Sequence, residues 1–391
     1  MVVIFILKTS HDGTVGAMST KTILIAGAGH GGVQTAMSLR QNGFEGRIVL
    51  VGDEPGLPYQ RPPLSKAYLQ GKMPLESLWL RPESFYRDNQ IEFMGGTRVT
   101  AIKPAARRIT LGNREEIEYG HLVLSVGARN RRPQLEGVDQ DGVVNIRTLV
   151  ETDALKPRLA VAHNIVVIGA GFIGLEFAAV AAAQGKNVTV LEMTDRAMAR
   201  AVSAPVSTYF ARWHQNAGAV LRFDTSANRI LGTAGKVTAV ETTDRQEIAA
   251  DMVIISVGVV PNVEIAKNAG LRTGDGVIVD EYLITSDENI SAIGDCCLFP
   301  SVHGRRALRL ESVQNANDQG KTVANRLTGK PNRYEAVPWF WSDQGEVKLQ
   351  IVGIGVTDDE TVIRGDQVPS GKWLEFGAAR SPITRGYRFR L

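Results

Sequence analysis

The chain has 391 residues, of which 43% are hydrophobic and 22% charged, and its formal net charge is +3. This is the composition of an ordinary soluble globular protein, long enough for two or three domains. The charge is too small and too dispersed to predict nucleic-acid binding, and no apolar run reaches the ~18 residues that a membrane span needs.

The two cysteines of the chain, Cys296 and Cys297, are adjacent. Neighbouring cysteines rarely form a structural disulfide, and no cysteine or histidine spacing indicates a zinc or iron–sulfur site. We therefore expect no metal site, a reducing cytoplasmic setting and a packing role for Cys296. The short apolar opening lacks the pattern of a signal peptide, so residues 1–20 are expected to be an extension outside the fold, with Met1 or Met18 as the start.

Two strand–helix–strand units are predicted along the chain, because apolar runs ending at glycine are typical of strands buried on both faces of a parallel sheet. The first unit has a strand over residues 22–26, a helix over 32–41 and a strand over 47–51. The second unit has a strand over residues 164–168, a helix over 174–184 and a strand over 187–191. Two such units imply two doubly wound domains.

The loop after the first strand, residues 27–32 (GAGHGG), matches the fingerprint of a dinucleotide-binding fold. Gly27 allows the tight turn, Gly29 lets the backbone approach a pyrophosphate, and Gly32 lets the helix pack closely on the strand. Asp53 closes the second strand, where a carboxylate can accept hydrogen bonds from an adenosine ribose. The loop, the helix and the carboxylate together predict a bound dinucleotide.

A second copy of the fingerprint lies at residues 169–174 (GAGFIG), with Gly169, Gly171 and Gly174 at the three glycine positions. Its acidic partner is Glu192, at the end of the following strand. A carboxylate there favours the 2′-hydroxyl of NAD and repels the 2′-phosphate of NADP. Arg196 is close enough in sequence to favour NADP instead, so this choice stays open.

Two further apolar runs, at residues 121–126 and 252–257, are interpreted as strand ends where the chain crosses between the two domains. The second run leads into Gly258. From Pro338 onwards the residue composition changes, with three aromatic residues in a row and possible strands over residues 348–352 and 361–364. A third, smaller domain is predicted there.

Together these motifs resemble the FAD-dependent, NADH-using ferredoxin reductases of bacterial oxygenase systems, the putidaredoxin reductase type within the pyridine nucleotide-disulfide oxidoreductases. The resemblance runs from about Lys21 to Gly365. The segments that carry it are residues 27–32, 58–66 (PYQRPPLSK), 169–176 (GAGFIGLE), 292–296 (AIGDC), 311–316 (ESVQNA) and 338–344 (PWFWSDQ).

The resemblance implies an α/β fold with two Rossmann-like dinucleotide-binding domains, one for FAD and one for NAD, and a third, truncated C-terminal α+β domain. The implied boundaries are residues 21–126 with 251–330 for the FAD-binding domain, 127–250 for the NAD-binding domain and 331–391 for the C-terminal domain. The match fades after Gly365, and residues 376–391 fit no expected strand–helix pattern. We therefore expect weaker ferredoxin docking, with ferricyanide reduced far better than a ferredoxin.

The resemblance also implies the residues that bind each nucleotide. The implied FAD contacts are Gly27, Gly29, Gly31, Gly32, Asp53, Lys66, Val99, Arg147, Asp295 and Val313. The implied NAD contacts are Gly169, Gly171, Gly174, Glu192 and Gly258. Lys66 is implied to lie near flavin N5 and to pair with Glu176, so that these two act in catalysis. The alternative from the residues alone is a solvated Lys66 and an exposed Glu176 in the first helical turn, stabilised by the helix dipole.

The implied function is electron transfer from NADH through FAD to an acidic 2Fe-2S ferredoxin that feeds a Rieske-type or haem-thiolate oxygenase. The chain has no cysteine before Cys296, so electrons would leave from the flavin itself and not through a dithiol. Two alternatives remain. One is the same chemistry with rubredoxin, a quinone or ascorbate radical as acceptor; the other is a flavoprotein with little turnover, truncated or similar to apoptosis-inducing factor.

Overall fold

The computed structural model describes residues 22–355, 360–365 and 373–378. The extension expected at residues 1–20 and the tail beyond residue 378 lie outside these ranges. The first segment contains β1 Ile23–Ala26, α1 His30–Gln41, β2 Ile48–Val51, α2 Glu83–Asp88, β3 Ile91–Met94, β4 Val99–Lys103, β5 Arg108–Leu111, β6 Glu116–Glu118 and β7 His121–Leu124. A short 3-10 helix, Pro62–Ser65, lies between β2 and α2.

The middle of the chain forms the second unit. Its elements are β8 Ala128–Asn130, β9 Val143–Val144, α3 Leu149–Val161, β10 Asn164–Ile168, α4 Phe172–Ala183, β11 Asn187–Leu191, α5 Ala204–Asn216, β12 Val220–Arg222, β13 Ala227–Thr233, β14 Lys236–Thr242 and β15 Glu247–Ala249.

The remaining elements return to the first unit and then form a C-terminal segment. They are β16 Met252–Ile255, β17 Val259–Pro261, α6 Glu264–Asn268, β18 Thr273–Gly274, β19 Gly276–Ile278, β20 Ile290–Ala292, β21 Cys297–Ser301, β22 Arg306–Leu308, α7 Val313–Leu327, β23 Trp339–Gln344, β24 Val347–Val352, β25 Glu360–Gly365 and β26 Trp373–Ala378.

The first unit is built on a parallel sheet with strand order β20-β7-β1-β2-β3. Every residue of β1, β2 and β7 is buried, which explains why these strands are continuous apolar runs instead of alternating ones. Helices α1 and α7 pack against each other, and the antiparallel sheet β4-β5-β6 contributes Ile109 and Leu111 to the same core. The order reverses at β1, and ligands of open α/β sheets bind at such switch points.

The second unit repeats this plan with a parallel sheet of order β12-β11-β10-β16-β9. Helices α4 and α5 pack on the sheet through Phe177 and Phe210, which are fully buried. The antiparallel sheet β13-β14-β15 contributes Ile230 and Val240 to a second core, together with Val166 of β10.

The pairing of β16 corrects the predicted domain boundary at residues 250 and 251. Residues 251–330 were assigned to the FAD-binding domain, but β16 pairs in parallel with β10, so Ile165 lies beside Met252 in the second sheet. The chain leaves the second unit only through β17, which pairs with β8 in a two-stranded crossing between the units. The assignment was wrong for β16 because an apolar run does not reveal which sheet the strand joins.

The C-terminal segment forms two β-hairpins in its described residues, β23-β24 and β25-β26. It packs on helix α5: the Trp373 ring lies 5.8 Å from that of Tyr209, and Ser203 Oγ donates a hydrogen bond of 2.6 Å to Glu375. Residues 376–378, expected to fit no strand, complete β26. That expectation was wrong, because residues 376–378 pair with β25 in an antiparallel hairpin. The buried Trp373 at the start of β26 anchors this hairpin against α5.

Candidate functional site

One large cavity lies between the two units, with a volume of about 1170 Å³. This exceeds the roughly 300–1,000 Å³ of most small-molecule pockets, so the space suits a ligand of dinucleotide size. Its wall contains nine of the ten predicted FAD contacts, all except Gly32, and both of the predicted catalytic residues, together with aromatic side chains of the C-terminal segment. The predicted residues in the wall include Gly29, Asp53, Lys66, Val99, Arg147, Glu176, Asp295 and Val313.

The first glycine loop has the geometry that a pyrophosphate requires. Gly27 has a φ of +109°, which side-chain-bearing residues rarely adopt, and a Cβ at Gly32 would overlap the carbonyl oxygen of Gly27. A Cβ at Gly29, in contrast, would meet no atom within 4 Å, because this glycine faces the cavity. The loop therefore leaves free space at the N-terminus of α1, where the backbone amides and the helix dipole favour an anion.

The second loop repeats this geometry, which supports its assignment to a second nucleotide. Gly169 has a φ of +104°, a Cβ at Gly174 would overlap the Gly169 carbonyl oxygen, and Gly171 again has no atom within 4 Å. The three glycines of this loop do not line the large cavity themselves. The helix that begins at it does, through Phe172 and Ile173.

The two acidic partners of the loops differ in how firmly they are held. The Glu192 carboxylate accepts hydrogen bonds from the amides of Ala170, at 2.8 Å, and Thr194, at 2.9 Å, so it is fixed beside the second loop. Asp53 is half exposed at the edge of the large cavity, with Arg98 Nη2 at 2.8 Å. The sequence analysis missed Arg98 because it lies on a distant segment, just before β4.

Lys66 and Glu176 meet at the boundary between the units. Lys66 Nζ lies 2.7 Å from Glu176 Oε2, and their side chains are 18% and 5% exposed. Glu176 Oε2 also accepts a hydrogen bond of 2.6 Å from Ser65 Oγ, and Oε1 accepts one of 2.7 Å from Ser342 Oγ. The pairing that the resemblance implied is therefore present, and the alternative of a solvated lysine and an exposed glutamate does not describe this structure.

Arg147 and Asp295 form a second ion pair in the cavity wall. Arg147 Nη2 lies 2.9 Å from Asp295 Oδ2, and Arg147 Nε donates to the carbonyl oxygen of Ala128 at 3.1 Å. Val313 begins helix α7, whose N-cap Ser312 accepts a hydrogen bond from the Asn315 amide at 3.0 Å. These residues place a fixed cation, a carboxylate and a helix N-terminus around one space, which fits the phosphate and polyol parts of FAD.

His30, at the start of α1, is a cavity residue that the sequence analysis did not select. Burial, and secondarily the charge of Arg61, lower the pKa of His30 to about 4, so its imidazole is neutral at neutral pH. Arg61 pairs with Glu54 and donates to the carbonyl oxygen of Arg147 at 2.7 Å. Arg61 belongs to the motif over residues 58–66, so that motif was the signal that could have found it.

The two cysteines are fully buried and not bonded to each other. Burial raises the pKa of Cys296 to about 11, and it also raises the pKa of Cys297. Neither thiol forms a reactive thiolate at neutral pH. In the described ranges, no cluster of His, Cys, Asp and Glu could hold a metal ion, and no helix is long and apolar enough to span a membrane.

Two dinucleotide-binding units that face one another across a cavity, with a buried lysine–glutamate pair between them, define a nucleotide-dependent flavoprotein oxidoreductase. Comparison with protein families agrees. Residues 21–320 match the pyridine nucleotide-disulphide oxidoreductase family, and residues 339–384 match the reductase C-terminal family. The chain belongs to the pyridine nucleotide-disulphide oxidoreductase family, and it uses FAD and NAD(P)H as this family does. The match to residue 384 also corrects the expectation that the resemblance ends at Gly365.

Similar proteins include several reductases of known systems. Rhodocoxin reductase of Rhodococcus erythropolis is 48% identical over 355 residues, covering 91% of this chain and 83% of the relative. Putidaredoxin reductase of Pseudomonas putida is 40% identical over 349 residues, covering 88% and 82%. Among solved structures, the ferredoxin reductase for the CYP199A2 system of Rhodopseudomonas palustris matches with a TM-score of 0.91 and 47% identity, covering 95% of this chain and 91% of that one.

Proposed function

We propose that this protein passes electrons from NADH through FAD to a 2Fe-2S ferredoxin that serves an oxygenase. The observation that carries the proposal is the buried Lys66–Glu176 pair in the wall of the shared cavity, in a chain whose relatives are named reductases of ferredoxin-type proteins. Both cysteines are buried and outside the cavity wall, so no dithiol in the described residues offers another exit for electrons.

FAD would bind mainly to residues of the first unit, and NADH to residues of the second. The backbone of the first loop, the Arg147–Asp295 pair and the start of α7 would hold FAD, with Asp53 and Val99 at its adenosine end. When bound, FAD accepts a hydride from NADH and can release the two electrons one at a time. The second loop and Glu192 would hold NADH. Gly258 follows β16, which runs parallel to β10, so it lies at the same edge of the sheet as the second loop.

Lys66 would supply a fixed positive charge where negative charge develops as hydride arrives. Preorganised charge of this kind is worth more in a cavity that excludes water than in solution. Glu176 would hold the lysine in place, because its carboxylate is anchored on both oxygens by serine hydroxyls. The two residues would thus act together: Lys66 carries the charge, and Glu176 fixes its position.

The nucleotide that enters the second unit is proposed to be NADH. Glu192 is held beside the loop by backbone amides, so a 2′-phosphate would meet its charge directly. Arg196, which left the choice open, donates instead to the carbonyl oxygens of Val202 and Ala199, each at 2.8 Å. Its guanidinium is therefore committed to the backbone.

Replacing Glu192 by glutamine should lower the preference for NADH over NADPH by about tenfold or more, since it removes one charge next to the 2′ position. The measurement is kcat/KM for each nucleotide with ferricyanide as acceptor. Asp195→Asn is the control, because Asp195 is an exposed carboxylate on the same loop. Equal preference in the unmodified protein would place the carboxylate away from the ribose.

The electron acceptor is proposed to be an acidic 2Fe-2S ferredoxin, and the final enzyme a Rieske-type or haem-thiolate oxygenase. Aromatic residues of the C-terminal segment support an exit on this side: Trp341 lines the cavity and stacks on Trp339 at 5.0 Å, and Trp339 is 37% exposed. A solved relative is putidaredoxin reductase in covalent complex with putidaredoxin, matching with a TM-score of 0.91 and 37% identity.

Rubredoxin is the second candidate acceptor, because rubredoxin-NAD(+) reductase of Pseudomonas putida is 36% identical over 337 residues. The test is NADH-dependent reduction of cytochrome c with no carrier, with a 2Fe-2S ferredoxin or with a rubredoxin. We expect the ferredoxin to raise the rate most, and added salt to reduce its effect, because an acidic partner is steered by charge. A rate that only rubredoxin raises, or that no carrier raises, would overturn the proposed acceptor.

A further inference from the structure

A chain of buried polar side chains extends from Glu176 into the C-terminal segment. Ser342 and Gln344 are alternate residues of β23, so they point to the same face, and both are fully buried. Ser342 Oγ lies 2.7 Å from Glu176 Oε1, Gln344 Nε2 lies 3.4 Å from Ser342 Oγ, and Gln344 Oε1 lies 2.8 Å from His214 Nε2. This hydrogen-bond chain thus joins three elements that are distant in sequence: α4, β23 and α5.

The chemistry of these groups fixes the direction of every hydrogen bond. An ionised carboxylate only accepts, so Ser342 donates to Glu176 and its oxygen accepts from the Gln344 amide. The Gln344 oxygen then accepts from His214, which must carry its proton on Nε2. Burial lowers the pKa of His214, in agreement with a neutral ring, and His214 Nδ1 has no hydrogen-bond partner among the described residues. All donors therefore point towards the carboxylate.

Such a chain is costly unless each member is satisfied, because buried polar groups lose their hydration. The surroundings are apolar: Phe177 of α4 and the β24 residues Val347 and Leu349 belong to the same buried core. Apolar side chains at positions 342 and 344 would pack without this cost. The structure instead places three polar side chains in a row behind one oxygen of Glu176, with Ser342 in direct contact with it.

We propose that Ser342 and Gln344 are positioning residues for the Lys66–Glu176 pair, so that the C-terminal segment holds the reactive lysine in place through a buried hydrogen-bond chain. Neither residue lines the cavity, so Ser342 acts through Glu176, and Gln344 acts through Ser342. The consequence for catalysis rests on the proposed function. The consequence for Lys66 itself does not, because it concerns only how tightly the ion pair is held.

The first test measures Lys66 directly, without NADH. The purified protein is treated with a limiting amount of acetic anhydride, and acetylation of Lys66 is followed by mass spectrometry. Lys66 is mostly buried and paired, so it should react slowly. In Ser342→Ala and Gln344→Leu, a loosened carboxylate should raise the labelling rate by about threefold to tenfold, the effect of losing one ordinary hydrogen bond. An unchanged rate in both variants would overturn the proposal.

The control variant is Ser207→Ala. Ser207 is a buried serine of α5 whose Oγ has no hydrogen-bond partner among the described residues. The change therefore removes a buried hydroxyl and leaves the hydrogen bonds between Glu176, Ser342, Gln344 and His214 intact. Its Lys66 labelling should match the unmodified protein. If Ser207→Ala raises the labelling as much as Ser342→Ala does, general loosening of the core accounts for the effect and the proposal is wrong.

The second test is a double-mutant cycle on the rate of flavin reduction at saturating NADH. Ser342→Ala should slow this step about threefold while the Kd for NADH changes little, and it should have no further effect in a Glu176→Ala background. A purely structural role would lower the rate in both backgrounds. If NADH does not reduce the unmodified protein at all, the proposed function fails, whereas the labelling result still decides the positioning role.

Discussion

Replacing Lys66 by alanine is expected to slow the reduction of bound FAD by NADH by about a hundredfold, the usual effect of removing one preorganised group that stabilises developing charge. The structure supports this size because Lys66 Nζ is held 2.7 Å from a carboxylate and the lysine side chain is only 18% exposed. Glu176→Ala should also slow the step, by about tenfold, since the lysine charge remains but is no longer held. Most FAD should stay bound in both variants.

The measurement for both variants is anaerobic stopped-flow absorbance of the flavin at saturating NADH. Lys72→Ala is the matched control, because Lys72 is an exposed lysine a few positions further along the same segment. The control should behave like the unmodified protein. If Lys66→Ala and Lys72→Ala are reduced at the same rate, Lys66 has no role in hydride transfer.

The elements of the two repeated units could be predicted well from sequence, because their signals are local. The predicted strands over residues 164–168 and 187–191 have the bounds of β10 and β11. The two helices were placed slightly late: they begin at His30 and Phe172, before the third glycine of each loop. In each loop the second glycine is already the N-cap of the helix. A glycine-rich sequence gives no local signal for a helix start at that position.

Sheet membership and side-chain partners could not be predicted in the same way, because they depend on distant parts of the chain. Strand β16 has the apolar composition of any buried strand, and only its pairing with β10 shows which unit it joins. The contact between Asp53 and Arg98 likewise joins two segments that no local pattern connects. Sequence predicts the elements, whereas their partners follow from packing.

In the candidate site, too, local motifs could be predicted from the sequence and distant side-chain partners could not. The glycine loops could be predicted from residue types and spacing, and the Lys66–Glu176 pair only through resemblance to a family. Ser65 and Ser342, which hold Glu176, lie within recognised motifs but carry no signal of their own. Buried serines are common, and their role becomes visible only when the acceptor is known.

Alanine at the third glycine of each loop is expected to remove one nucleotide and leave the other. A Cβ at Gly32 would overlap the carbonyl oxygen of Gly27, and one at Gly174 would overlap that of Gly169. Each change forces its loop and helix apart, so the nucleotide at that loop should bind at least about tenfold more weakly. Gly32→Ala should therefore lose FAD, whereas Gly174→Ala should keep FAD and lose NADH.

The matched control for these changes is Gly112→Ala. Gly112 lies in a turn of the first unit, and a Cβ there would meet only the Arg98 carbonyl oxygen at 3.8 Å, an ordinary contact. This variant should bind both nucleotides like the unmodified protein. If Gly32→Ala and Gly174→Ala lose the same nucleotide, the assignment of one loop to each is wrong.

The most direct test of the account is the visible spectrum of these proteins before and after one equivalent of NADH is added without oxygen. The unmodified protein should contain FAD, and NADH should bleach its flavin band. Gly174→Ala should show the same band but bleach only with dithionite, and Gly32→Ala should be colourless. An unmodified protein that contains no flavin after reconstitution with FAD, or whose flavin NADH does not bleach, would contradict the central claim.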